Sequence, residues 1–311
     1  MITNPPVKIN LGLNVLRKRP DGFHDLETLF YPCSQIHDTL EIIQGDDYSR
    51  TSARLCALYG DRSMISDMSC RASDSIDEEH DEIPTLSQGI SGDGKLMITV
   101  ARKEGVDWPV LKDLCAKAYQ MLDADFGLPP VKIYLEKTSP VGAGLGGSAD
   151  AAYTLKMLAE MFGLDVDEQK LRDYAARLGS DCAFFVSDSP MIGEGRGEIL
   201  TPYNLNINIV EDETSARPGD YLLKIIVPEE IHVSTAEAYK GIVPSVPEHS
   251  LKDVLATPVE AWKDLLINDF ERTVFVAHPE IEAIKRSLYD SGAEYASMSG
   301  SGSALFALYK V

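Results

Sequence analysis

A glycine-rich stretch near the middle of the chain has the composition of a phosphate-binding turn. Its nine residues are Pro140, Val141, Gly142, Ala143, Gly144, Leu145, Gly146, Gly147 and Ser148. Glycine lets the backbone adopt positive φ and approach a ligand closely, and a helix that starts there offers unpaired amides and a positive dipole end to an anion. We therefore predict that this glycine loop, residues 140–148, binds phosphate.

The glycine spacing alone leaves other interpretations open. The loop lacks the Gly-Lys-Ser/Thr ending of a Walker loop. Gly142, Gly144 and Gly147 satisfy the GxGxxG spacing of a dinucleotide-binding turn, and Asp165 or Asp167 lies about 20 residues farther on, as such a fold requires. A tight turn with a purely structural role is the third interpretation.

Two charged residues elsewhere have the types that phosphoryl transfer requires. Such a transfer needs a group that takes the hydroxyl proton of the acceptor and positive charge beside the transferring phosphate. Asp181 follows Gly179, which is predicted to end a helix, so its carboxylate can point into a cleft; Lys8 is the single charge on a neutral strand. Asn10 lies one strand repeat from Lys8 and shares its face. The alternatives are a helix-capping carboxylate and a surface lysine.

Hydrophobic periodicity predicts the elements that position these residues. Strands are expected at 8–15, 39–43, 96–100, 131–136 and 222–227, the first with the alternation of a half-buried strand. Helices are expected at 113–126, 149–162, 167–178 and 279–291, and a hairpin at 295–298 and 304–309. One strand therefore leads directly into the glycine loop, and one helix follows it.

The order of these elements favours an α+β fold with mixed or antiparallel sheets, because strands and helices come in mixed, short runs. At 311 residues the chain has the size of one large or two medium domains. We expect an N-terminal nucleotide-binding and catalytic domain over residues 1–192 and a C-terminal substrate-binding domain over residues 193–311. Residues 44–94 are rich in Asp and Glu and lack sustained periodicity, which predicts an acidic surface insertion that is partly mobile.

Composition and charge narrow the classes of function. Hydrophobic residues make up 44% of the chain and charged residues 25%, the usage of a globular protein with a core. Lys and Arg number 29 against 49 Asp and Glu, and the net charge of −20 repels nucleic acid and anionic membranes.

No apolar run has the length of a membrane span, and residues 1–8 lack a signal-peptide core, so a cytoplasmic location is expected. The five cysteines form no CxxC pair and are expected to be buried.

Several segments together resemble one family of enzymes. Residues 140–152 (PVGAGLGGSADAA) are similar to the phosphate-binding motif of the GHMP kinases, a family of ATP-dependent small-molecule kinases. Further segments resemble the members of that family that act on a cytidine-diphosphate-linked polyol: 8–14 with 19–24 and 28–30, then 178–185 with 195–200, then 299–303. The likeness follows the order of the chain and spans most of it. It implies the two-domain GHMP kinase fold and transfer of the γ-phosphate of ATP to a hydroxyl group.

The resemblance also implies roles for individual residues. It places Lys8 and Asp181 as the catalytic pair and the glycine loop on ATP. ATP chemistry in turn implies Mg²⁺, for which Ser148 is the nearest hydroxyl, although no carboxylate cage can be read from the sequence. The expected substrate-binding residues are Asn10, Phe23, His24, Thr235 and Tyr239. His24 would bind the cytosine and Tyr239 would stack on it; an exposed turn histidine and a core tyrosine are the alternatives.

Rival functions stay open on the sequence. A homoserine or mevalonate kinase of the same family is favoured by the glycine loop, which has one glycine fewer than is usual in the cytidine-specific members, and is opposed by residues 21–24 (DGFH). An NAD-binding oxidoreductase would use the GxGxxG spacing, but the turn lies mid-chain and outside a βαβ unit. A catalytically silent binding protein is disfavoured by the joint presence of Lys8 and Asp181. The run 299–303 either makes a close backbone approach, to phosphate or to the glycine loop, or forms a strained hairpin.

Overall fold

The chain forms two compact units, each assembled from separated segments. A computed structural model describes residues 1–46, 65–66, 84–140, 147–228 and 231–311. Within those residues, the first unit contains 1–5, 36–139 and 147–186, and the second contains 6–35, residue 140 and 187–311. The predicted boundary between residues 192 and 193 stays a prediction, since these units are not contiguous in sequence.

The first unit is a six-stranded sheet with helices packed on it. In spatial order its strands are β1 (Ile2–Thr3), β4 (Thr39–Gln44), β8 (Val131–Glu136), β7 (Leu96–Arg102), β6 (Thr85–Ile90) and β5 (Ile65–Ser66). Only the pair β7 and β8 is parallel among the described pairings of this sheet. The helices are α1 (Leu114–Phe126), α2 (Ser148–Met161), α3 (Glu168–Leu178) and α4 (Phe184–Ser187), with a 3₁₀ turn at Val110–Lys112. The first three helices pack on one another.

Local sequence explains the two elements that lead to the glycine loop. Helix α1 begins after Asp113, whose carboxylate accepts a hydrogen bond of 2.9 Å from the backbone amide of Cys115, a standard N-cap. Strand β8 alternates as predicted, with Val131, Ile133 and Leu135 buried. The predicted order of strand, glycine loop and helix is therefore confirmed at both ends of the loop.

The second unit contains two four-stranded sheets. The first has the order β10 (Ile199–Pro202), β9 (Met191–Gly195), β3 (His24–His37), β2 (Pro6–Lys18), and the second has β11 (Ile209–Val210), β12 (Tyr221–Ile226), β14 (Leu305–Lys310), β13 (Tyr295–Met298). The helices are α5 (Thr235–Ala238), α6 (Leu251–Leu255), α7 (Trp262–Leu265), α8 (Glu271–Ala277) and α9 (Pro279–Asp290), with a 3₁₀ turn at Val259–Ala261. Strands β13 and β14 form the predicted antiparallel hairpin. Together, the mixed and antiparallel sheets confirm the α+β class.

Strand β2 corrects one expectation about burial. The sequence predicts a half-buried strand at 8–15, but every residue from Val7 to Val15 is buried. The edge of β2 is covered by a distant segment, because the Leu13 amide donates to the Ile267 carbonyl at 2.9 Å and the Val15 amide donates to the Asp269 side-chain carboxylate at 2.7 Å. The polar side chains on the strand are thus enclosed and must find partners inside the protein.

The predicted insertion at 44–94 is wrong at its two ends. Gln44 is the last residue of β4, and residues 85–90 form β6, which pairs with β7 along its whole length. The strand escaped notice because its sequence, TLSQGI, has a glycine and two small polar residues in place of a clear apolar alternation. Residues 47–64 and 67–83, which carry most of the expected insertion, lie outside the described residues.

Two further expectations concern the whole chain. Cys33, Cys115 and Cys182 are free and buried, as predicted, whereas Cys56 and Cys70 lie outside the described residues. No helix in the described part of the chain has the length and apolar character to cross a membrane.

Candidate active site

The helix that follows the glycine loop begins in the geometry of an anion-binding site. Gly147 stands at the N-cap of α2 with φ of 101°, and a Cβ built there would meet no atom within 4 Å, so conformation and not space requires glycine. Ser148 is the first helical residue, and the first amides of a helix have no partner inside it. Residues 141–146, the rest of the predicted loop after Pro140, lie outside the described residues.

A buried ion network joins the residues on either side of the loop. Lys137, directly after β8, places its Nζ 2.6 Å from Oδ2 of Asp150 and 3.3 Å from Oδ2 of Asp38. Burial by itself lowers the pKa of Lys137, but the Asp150 and Asp38 carboxylates outweigh it and raise that pKa. Near-complete burial raises the pKa of Asp150 to about 7. Sequence reasoning missed all three residues, because Asp38 is 99 positions from Lys137 and no local pattern connects them.

Asp181 lies in the turn that follows α3, in the same unit as the start of α2. Its carboxylate is partly exposed and accepts a hydrogen bond of 3.2 Å from the hydroxyl of Ser180. The next residue, Cys182, is buried beside the side chain of Ser148; burial raises the pKa of that thiol to about 11. The structure therefore places Asp181 one residue from a side chain that contacts the end of the glycine loop.

Lys8 lies on β2 and is a buried residue, with only 7% of its surface exposed, so the alternative of a surface lysine is wrong. Its Nζ donates to Oδ1 of Asn10 at 2.9 Å and lies 4.5 Å from the centroid of the Phe30 ring. Asn10 in turn donates through Nδ2 to the hydroxyl of Thr28 at 3.0 Å. The predicted shared face of Lys8 and Asn10 is confirmed. Because Lys8 and Asp181 belong to different units, their pairing stays a prediction.

The run 299–303 forms the loop between β13 and β14 and reaches the polar face of β2. The amide of Asn10 donates to the Ser299 hydroxyl at 3.3 Å, and a Cβ on Gly300 would lie 3.3 Å from Oδ1 of Asn10, closer than an ordinary contact. Asn268 holds the loop from behind by donating Nδ2 to the carbonyls of Met298 at 2.7 Å and Gly300 at 2.8 Å. The run is thus a close backbone approach to the Lys8 strand, and Asn268 is a positioning residue that the sequence did not reveal.

Two of the expected base-binding residues, His24 and Tyr239, lie in one group of aromatic rings in the second unit. The rings of His24 and Tyr239 are stacked, with centroids 4.7 Å apart and planes inclined by 19°, and Phe270 meets Tyr239 edge-on at 4.8 Å. Burial first, and Lys18 second, lower the pKa of His24, which favours the neutral form of the imidazole. The prediction that Tyr239 stacks on a ligand base stays a prediction, but in the structure His24 is a stacking partner of that ring.

Phe23 and Thr235 lie in the same unit. Phe23 is 55% exposed, and the guanidinium carbon of Arg196 lies 5.0 Å from the centroid of its ring. Thr235, the first residue of α5, has its hydroxyl 3.4 Å from that of Ser301 in the 299–303 loop. Arg196 was not among the predicted site residues, although it lies within the segment 195–200 that carries the family resemblance.

Comparisons with known proteins agree on one family. The family models described as the GHMP kinases N terminal domain and the GHMP kinases C terminal match residues 113–189 and 251–310. A curated 4-diphosphocytidyl-2-C-methyl-D-erythritol kinase of Bacteroides fragilis is 41% identical, over 99% of this chain and 92% of that protein. A crystal structure of 4-(cytidine 5'-diphospho)-2C-methyl-D-erythritol kinase superposes with a TM-score of 0.69 at 26% identity, covering 99% of this chain and 90% of the other. A homoserine kinase of Cytophaga hutchinsonii is similar in fold alone, with a TM-score of 0.55 and 17% identity over 98% and 85% of the two chains.

Proposed function

The chain belongs to the 4-diphosphocytidyl-2-C-methyl-D-erythritol kinases of the GHMP kinase family, and we propose that it transfers the γ-phosphate of ATP to a hydroxyl of 4-diphosphocytidyl-2-C-methyl-D-erythritol in non-mevalonate isoprenoid precursor synthesis. The observation that carries the proposal is the 41% identity to such a kinase over 99% of the chain. The buried Lys8 and Asn10, the helix start at Ser148 and the rings around His24 support it, because they supply the parts that such a reaction needs.

In the proposed reaction, the glycine loop at 140–148 and the first amides of α2 bind the triphosphate of ATP. Among the described residues, no group of three or more His, Cys, Asp or Glu side chains could hold a metal ion. Magnesium in kinase sites is held by substrate phosphates, several waters and one or two carboxylates, and the Ser148 hydroxyl at the helix start would add one oxygen beside the phosphates. When bound, Mg²⁺ would neutralise charge on the phosphates.

Asp181 and Lys8 have separate chemical tasks in the proposed reaction. The Asp181 carboxylate takes the proton of the acceptor hydroxyl while the oxygen of that hydroxyl attacks the γ-phosphorus of ATP. The Lys8 ammonium, held by Asn10 and placed over Phe30, stabilises negative charge on the transferring phosphoryl oxygens. Because Lys8 is buried, its charge is less screened by water than that of a surface lysine.

Recognition of the cytosine falls to the rings of the second unit. A neutral imidazole offers one donor and one acceptor, which suits the mixed donor and acceptor edge of cytosine. The open part of the Phe23 ring and the stacked pair of His24 and Tyr239 offer flat surfaces for a base. Asn10 and Thr235 would contact the more polar parts of the acceptor.

A single-turnover assay with ATP and a panel of hydroxyl acceptors tests the proposed function. The panel contains 4-diphosphocytidyl-2-C-methyl-D-erythritol, mevalonate and homoserine. We expect rapid phosphorylation of the cytidine-diphosphate-linked polyol, and inhibition of that reaction by free cytidine nucleotides. Preferred turnover of mevalonate or homoserine, or binding of NAD in place of ATP, would contradict the proposal.

Gly147→Ala should weaken ATP binding while leaving acceptor binding unchanged. Alanine at φ of 101° is strained by roughly 1–3 kcal/mol, and the strain is relieved by moving the start of α2 away from the phosphates. Gly127→Ala is the matched control, since Gly127 also has positive φ and open space around it but ends α1. Isothermal titration of both variants with ATP makes the comparison. Equal ATP affinities in the two variants would mean that Gly147 serves only to fold the turn.

Tyr239→Leu should weaken acceptor binding about two- to tenfold, since an aromatic stacking pair contributes roughly 0.5–1.5 kcal/mol. Tyr239→Phe should be nearly silent, because the phenyl ring keeps the stack with His24. Tyr239 also packs against the core of the second unit, so melting temperature must be measured on the same samples. Lost acceptor affinity with unchanged ATP affinity supports the role; a parallel loss of both affinities and of melting temperature would assign Tyr239 to the core.

A further inference from the structure

Both ends of the glycine loop are tied into one buried network. Lys137 precedes the loop and Asp150 follows it, 13 positions away, and their side chains form an ion pair of 2.6 Å. The side chains of both residues, and that of Asp38, are less than a tenth exposed. A pair that joins the strand before a loop to the helix after it fixes the distance that the loop must span.

Asp38 anchors this pair to the sheet. It lies between β3 and β4, and its Oδ1 accepts hydrogen bonds from the amides of Thr138 at 2.8 Å and Ser139 at 2.7 Å. Its Oδ2 accepts from the Ser139 hydroxyl at 2.8 Å and from Lys137. The three residues that lead into the loop, 137–139, are therefore all held by a single carboxylate.

Stability alone is a weak reason for such a network. A buried ion pair often contributes no more than well-packed apolar residues would, because desolvation of the charges offsets their attraction. Here one ammonium faces two carboxylates, and Oδ1 of Asp150 is buried without a hydrogen-bond partner among the described residues. An arrangement that leaves a polar atom unsatisfied is better explained by what it positions than by what it stabilises.

We propose that Lys137, Asp38 and Asp150 form a clip that holds the two ends of the glycine loop at the separation the triphosphate of ATP requires. The proposal rests on the proposed function, because it assumes that this loop binds ATP. Lys137 is then a positioning residue, which touches no reacting atom. It holds the ends of the loop in place before ATP binds, so that ATP binding costs less conformational entropy. The clip acts on the nucleotide and has no reason to affect the acceptor.

Lys137→Met tests the clip, because methionine keeps the length of the side chain and removes the charge. We expect the dissociation constant for ATP to rise about tenfold or more, the loss typical when a group that supports a ligand-binding residue is removed, and the acceptor constant to stay unchanged. Lys137→Arg should recover part of the ATP affinity. The matched control is Lys95→Met, which breaks the ion pair of Lys95 with Asp123 elsewhere in the same unit.

A double variant keeps the test sound if Lys137→Met folds poorly. Lys137→Met with Asp150→Asn removes both charges of the pair, and Asp38 keeps its hydrogen bonds from Thr138 and Ser139. A folded double variant whose dissociation constant for ATP is raised about tenfold or more supports the clip. Wild-type ATP affinity in the double variant, or an equal loss in Lys95→Met, would overturn it. A wild-type chain that binds no ATP would instead overturn the proposed function, and the clip with it.

Discussion

Asp181→Asn should bind ATP as the wild type does and lose roughly two to four orders of magnitude in turnover, the usual cost of removing a general base. Asparagine keeps the size and hydrogen-bonding shape of the side chain but cannot accept a proton from the acceptor hydroxyl. Asp181 lies in a short turn after α3 and is partly exposed, so the substitution disturbs little of the fold. Single-turnover rates at saturating ATP, with a separate ATP titration, measure the two effects.

Asp173→Asn is the control for this experiment, because it removes a carboxylate from the exposed face of the preceding helix. It should leave both turnover and ATP binding unchanged. Turnover of Asp181→Asn within a few-fold of the wild type would remove Asp181 from the chemistry and leave it as a turn residue. A loss of ATP affinity equal to the loss of rate would place it in nucleotide binding.

Lys8→Met should lower turnover by roughly 10²–10³, the size of effect seen when a single transition-state hydrogen-bond donor is lost. Methionine fills the space over the Phe30 ring, so the substitution removes the charge and the hydrogen bond to Asn10 with little change in packing. The effect should fall on kcat, because a charge that acts on the transferring phosphoryl group is needed most in the transition state. Steady-state kinetics with both substrates measure the split between kcat and KM.

Lys263→Met controls for the loss of a lysine over a ring, since Lys263 lies 4.6 Å from the centroid of Tyr289 in the same unit but outside the proposed site. The double variant Lys8→Met with Asp181→Asn should lose far less than the product of the two single losses, as residues that act as a unit do. Multiplicative losses would show that the two residues act independently. An unchanged kcat in Lys8→Met would remove the lysine from the reaction.

The elements around the glycine loop were predictable because local rules decide them. Strand β8 follows the two-residue alternation of its sequence, and α1 begins at a capping aspartate, Asp113. Strand β3 was not predicted, because its buried residues have no regular spacing and Pro32 interrupts it, a residue that argues against a strand when only the sequence is read. The hydrogen bonds that cover the edge of β2 come from residues 267–269, which no local pattern connects to it.

The residues of the candidate site also fall into two groups, those that a local sequence pattern predicts and those that only the fold brings together. The shared face of Lys8 and Asn10 follows from the strand repeat, so the sequence was sufficient to predict it. The contact between His24 and Tyr239 joins residues that are far apart in the chain, and the role of each was suggested by family resemblance alone. Lys137 and Asn268 carried no signal, because a lysine after a strand and an asparagine before a helix are ordinary surface residues until the fold buries their neighbours.

The edge of β2 has a consequence for how the protein acquires its activity. Val15 is bonded by a carboxylate 254 positions away, and Asn10 by a hydroxyl 289 positions away. Contacts of such separation form late, because the chain must first close very long loops. During synthesis the strand that carries Lys8 is therefore an open edge, the kind of surface that promotes aggregation until it is covered. If Lys8 acts as we propose, the chain becomes competent for phosphoryl transfer only after the segments that carry Asp269 and Ser299 have docked on its strand.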